Sequence, residues 1–79
     1  MANTEILQKR RMTNTKLLQK RIKKSGLKTG YIAEKIGLSR SGLWKKMNNL
    51  SYFNQPEMDG LCKILKITTQ KERDEIFFA

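Results

Sequence analysis

Gly37 constrains the fold of this chain more than any other residue. It falls between two short runs whose apolar residues repeat at helical spacing, so it ends one helix just before another begins. Upstream, Ile32, Ala33 and Ile36 form an inward stripe, with a small residue where helices approach closely. Downstream, Leu38 returns to the core and Ser39 is an N-cap. Leu43 and Met47 then point one way, while Arg40, Ser41, Trp44 and Lys45 lie away from them. Residues 29–49 therefore read as two short helices joined at a glycine, the second basic and aromatic on its free side.

The flanking sequence supplies the rest of an all-α bundle. A first helix starts at Asn14 or Thr15 and runs to Ser25, with Leu18 and Ile22 four apart and Leu17 beside them. Lys16, Lys20, Arg21, Lys23 and Lys24 cover its other faces, Gly26 stops it, and Leu27 is expected to fold back onto the core. Asn48-Asn49 ends the third helix, and Phe53, with Leu50 as a second candidate, is expected to plug the core from the loop that follows. Asn54, Pro56 and Glu57 open a fourth helix with a capping box, and Met58, Leu61, Cys62 and Leu65 form its stripe. Ile67 leaves that stripe. Thr69 and Glu72 repeat the capping-box spacing and open a fifth helix. It ends in Ile76, Phe77 and Phe78, and only one of the two adjacent phenylalanines can face the core. The whole is a compact five-helix bundle with a central helix-turn-helix, over residues 13–79. Residues 1–12 form a basic N-terminal arm, and order and disorder are both open for it.

Composition bounds what such a bundle can do. With 79 residues it is one domain with one core and little room for a deep pocket. Histidine is absent, the single Cys62 lies among apolar residues, and the acids are scattered, so no catalytic or zinc-ligand set is expected and no cofactor is assigned. No apolar run approaches a membrane span or a signal-peptide core, which makes a cytosolic protein the expectation. Charge placement is the sharper clue. Residues 1–49 hold 13 Lys/Arg against two acids, a net +11; residues 50–79 hold four against five, a net −1. A basic field confined to the part that carries the two-helix unit points to a polyanionic partner.

The run Gly26-Leu27-Lys28-Thr29-Gly30-Tyr31-Ile32-Ala33-Glu34-Lys35-Ile36-Gly37-Leu38-Ser39-Arg40-Ser41-Gly42-Leu43 resembles the core of the lambda-repressor-like, Cro-type helix-turn-helix family. The fourth helix after a loop and the closing Glu-Ile-Phe-Phe are similar to small Cro-like regulators of Gram-positive phages and mobile elements; the resemblance covers about residues 14–78. It implies that Arg40, Ser41, Trp44 and Lys45 face base edges, that Thr29 contacts phosphate and that Asn48 faces the DNA backbone. Lys28, Gly30 and Ser39 join the backbone-facing set, Gly30 through the open N–H groups of a first helical turn. Two positions depart from the family pattern. Trp44 stands where a small or polar residue is commoner, and Lys28-Thr29-Gly30 replaces the commoner Thr-Gln-Glu.

Each candidate has a competing role. Arg40 can instead be a solvated charge or pair with Glu34, and Trp44 can pack against Tyr52 and Phe53. Gly42 can permit close approach to the second helix or to DNA. The basic first helix can be a solvated face or lie near a phosphate strand. The expected function is sequence-specific double-stranded DNA binding by a small regulator, a Cro-like repressor acting on an operator in a bacterial cytoplasm, with no small-molecule substrate. A homodimer through the C-terminal region is the candidate assembly. The rival from another class is a protein–protein module, such as an antitoxin or antirepressor-like adaptor whose basic face grips an acidic protein. RNA binding is a weaker third reading.

Overall fold

The computed structural model describes residues 12–78; most of the basic arm expected over 1–12 lies outside them. Five helices follow in order: α1 (Thr15–Ser25), α2 (Thr29–Lys35), α3 (Arg40–Met47), α4 (Gln55–Leu65) and α5 (Gln70–Phe77). No strand occurs among the described residues. None of their helices is long and apolar enough to cross a membrane.

The helix starts are set by side-chain caps. Asn14, Ser39, Asn54 and Thr69 each accept a backbone N–H from the first turn that follows. Asn54 and Glu57 complete a reciprocal capping box. Thr69 forms only half of one: Glu72 is drawn instead toward Arg21, 3.2 Å away.

Three helices end in the same way. Leu38 N–H donates to Ala33 O and Gly37 N–H to Glu34 O at the end of α2. Leu50 to Lys45 and Asn49 to Lys46 repeat the pair after α3, and Ile67 to Cys62 and Lys66 to Lys63 repeat it after α4. These are Schellman closures, which need one left-handed residue. Gly37, Asn49 and Lys66 supply it, with φ of 80°, 63° and 58°. The closure after α4 returns Ile67 to the buried core.

α1 ends differently. Gly26 is left-handed, but the Ser25 hydroxyl donates to Ile22 O and accepts Leu27 N–H. Leu27 is thereby held off the core and remains 36% exposed, against expectation. Leu50 also fails to plug the core and lies 68% exposed. Phe53 fills that position, edge-on to the buried Phe77 with ring centroids 5.6 Å apart.

The core joins all five helices through Leu18, Ile32, Leu43, Leu61 and Ile76, each with no exposed surface. Gly60 lets α4 approach the end of α2, since a Cβ there would lie 2.8 Å from Ile36 Cγ2. Cys62 is a buried free thiol, and burial pushes its pKa up.

Candidate nucleic-acid interface

α3 presents two chemically distinct faces because its apolar pair is four residues apart. Leu43 and Met47 are buried, whereas Arg40, Ser41, Trp44 and Lys45 are all exposed. Trp44 is 56% exposed, so it does not pack away behind the Tyr52–Phe53 loop. No ion pair joins Arg40 to Glu34 among the described residues. The Arg40 stem instead runs along Gly30, whose missing Cβ would lie 3.6 Å from Arg40 Cδ.

The helix is held from three sides. Ser39 Oγ accepts Gly42 N–H at 3.0 Å. A Cβ on Gly42 would sit 3.0 Å from that same oxygen, so Gly42 makes room for the cap, and no α2 atom comes within 4 Å of that position. At the other end, the Thr15 hydroxyl donates to Met47 O. Asn49 then grips Thr13 twice, accepting its N–H at 2.8 Å and donating to its carbonyl at 3.0 Å. On the inner flank, Lys46 Nζ lies 2.6 Å from Glu57 Oε1, the oxygen that also accepts Asn54 N–H. Lys46 therefore ties α3 to the capping box of α4 and faces away from the exposed set.

The backbone-facing candidates gather at the start of α2. Lys28 precedes the helix without a side-chain cap, leaving the first-turn N–H groups of Thr29 and Gly30 open. Lys28, Thr29, Gly30 and Arg40 line one cleft with Gln19 and Lys23 of α1. Ser39 is exposed but its oxygen serves the α3 cap. Asn48 folds back, its amide donating to Trp44 O at 2.9 Å. The structure thus brings Lys23 of α1, Lys28 and Arg40 of α3 to one cleft, which Glu34 also lines, and adds Gln19 to the residues singled out by pattern.

Arg21 leaves that side. Its guanidinium donates to Leu65 O at 2.7 Å and faces Glu72, clasping α1 to the end of α4 and to α5. By pattern it is one more basic residue covering α1; the carbonyls freed where α4 ends draw it inward. No protein family, curated protein or solved structure matches the chain. Among the described residues no cluster of three His, Cys, Asp or Glu side chains could hold a metal ion.

Proposed function

We propose that this chain is a sequence-specific double-stranded DNA-binding protein, a small transcriptional regulator of the lambda-repressor-like, Cro-type kind. One observation carries the reading: a capped and anchored α3 exposes Arg40, Ser41, Trp44 and Lys45 together, on the part of the chain with net charge +11. A helix of this width fits the major groove, and its exposed face holds groups that can address base edges. Arg40 can grip guanine O6 and N7, Lys45 a base acceptor or a phosphate, Ser41 either partner, and Trp44 a thymine methyl. Lys28, Thr29, Gly30 and Lys23 would hold the adjoining phosphate strand, with the α1 lysines adding salt-dependent attraction.

In this reading the protein acts as a repressor by occupying its operator. One module of this size contacts few base pairs, so a homodimer through the C-terminal region, where Phe78 is 38% exposed, would double the site. The rival protein–protein module shares the basic face but has no use for base selectivity. Gel-shift titration separates them. A DNA reader selects a short palindrome-like sequence, Arg40→Ala relaxes one base position in it, and Lys20→Ala weakens all sequences alike. Weak, unselective binding that Arg40→Ala leaves unchanged would reject the regulator reading.

A further inference from the structure

A second recess lies between the ends of α1 and α4, and no residue of α3 lines it. Its walls are Leu27, Ile64 and Leu65, with Arg21, Lys24 and Lys66 around them. Leu27 contributes because the Ser25 hydroxyl takes its N–H and keeps it off the core. The Arg21 guanidinium is fixed as one wall by Leu65 O and Glu72. Lys24 and Lys66 are exposed and form no ion pair among the described residues. Lys66 also occupies a left-handed position that glycine or asparagine fills at lower cost, so a cation stands on this rim at some expense to the fold.

We propose that this recess docks an acidic, amphipathic peptide segment of a partner protein. Apolar side chains of the segment would cover Leu27 and Ile64, and its carboxylates would meet Lys24 and Lys66. The charge pattern selects this occupant: an apolar floor with a rim dominated by cations disfavours basic peptides and leaves a purely acidic one without the contact area of the floor. No residue of α3 lines the recess, but Leu27 also lines the cleft of Lys28 and Arg40, so the segment would sit beside the proposed phosphate-holding set.

The test is a titration of the full ¹⁵N-labelled chain with a synthetic 14-residue peptide of Asp, Glu, Leu and Phe, followed by amide shifts. A control peptide keeps the acids and replaces Leu and Phe with serine. Shifts should concentrate on residues 24–27 and 64–66, and the control should bind at least about fivefold more weakly. Lys24→Glu/Lys66→Glu should weaken the amphipathic peptide by at least about fivefold, and more so at low salt, with a well-dispersed spectrum showing an intact fold. Leu27→Ser gives an independent arm without a charge change and should also weaken binding. Shifts spread over Lys16, Lys20 and Lys45, equal binding of the two peptides, or indifference to both variants would overturn the proposal.

Discussion

Arg40 lies along Gly30, with its Cδ 3.6 Å and its Nε 3.9 Å from where a Cβ of residue 30 would stand. The first residue of α3 is thus seated on the first turn of α2, and the proposed base-reading and phosphate-holding sets meet at this pair. Alanine at 30 would make ordinary contact with the Arg40 stem and needs no unusual backbone. Gly30→Ala should therefore raise the melting temperature by roughly 2–4 °C, about 0.5 kcal/mol of helix propensity. Differential scanning calorimetry measures it; a loss of stability would mean that the seat is tighter than these distances allow.

The same substitution at Gly60 should have the opposite sign. A Cβ there would lie 2.8 Å from Ile36 Cγ2, on a branched, partly buried side chain with little freedom to move. Overpacking costs about 1–3 kcal/mol, against at most ~1 kcal/mol gained in helix propensity. Gly60→Ala should lower the melting temperature. In a double-mutant cycle, Ile36→Ala should absorb much of that loss.

Lys66→Gly tests the left-handed closure of α4. Only the backbone penalty of a non-glycine residue at φ 58° is removed, because the Lys66 side chain is exposed. A gain of up to about 1 kcal/mol is expected in urea denaturation, after the extra unfolded-state freedom of glycine is offset. The same variant should lose affinity for the acidic peptide, separating the fold's preference from the role proposed for the lysine.

Asn49 tests the anchor of α3. It combines a left-handed backbone with two hydrogen bonds to the buried Thr13. Asn49→Gly keeps the backbone and loses the bonds; Asn49→Ala loses both. Alanine should cost about 2 kcal/mol or more and glycine less, read as denaturation midpoints at constant slope.

Asp59 sets a pH dependence. The hydrogen bond from Arg73, 2.6 Å away, holds its carboxyl pKa below the ordinary value. A depressed folded pKa means that its stabilisation is present above the unfolded carboxyl value of about 3.9 and is lost as pH falls through the folded value. Melting temperatures of the parent chain and Asp59→Asn should therefore differ near neutrality and converge at the acid end. A gap that persists at low pH would contradict this.

Local chemistry made most of the fold legible. Asn14, Ser39, Asn54 and Thr69 are short-range caps, and the apolar stripes of α1, α3 and α4 give inward faces that the structure keeps. Long-range partners were not legible. Arg21 meets Leu65 O across 44 positions, and nothing in the pattern of α1 distinguishes it from its lysine neighbours. Lys46 carries a weak signal, since it stands three residues after the buried Leu43 and so beside the inward face, but the pattern gives its partner Glu57 only a cap. Leu27 and Leu50 lie off the core, and hydrophobicity alone encodes neither a hydroxyl relay nor the outward exit of a turn. Within the candidate site, α3's exposed set was readable from its period, whereas the Arg40–Gly30 seat needed the packing of two helices.

Selection of binding sites from random duplex DNA, with the parent chain and Arg40→Ala side by side, tests the central claim most directly. The parent should enrich one short palindrome-like sequence, bound with an affinity that falls steeply with salt. Arg40→Ala should relax one base position, repeated by symmetry, at a discrimination cost of about 1–3 kcal/mol. Enrichment of no sequence, or identical motifs for the two proteins, would contradict a DNA-reading α3 with Arg40 at its head.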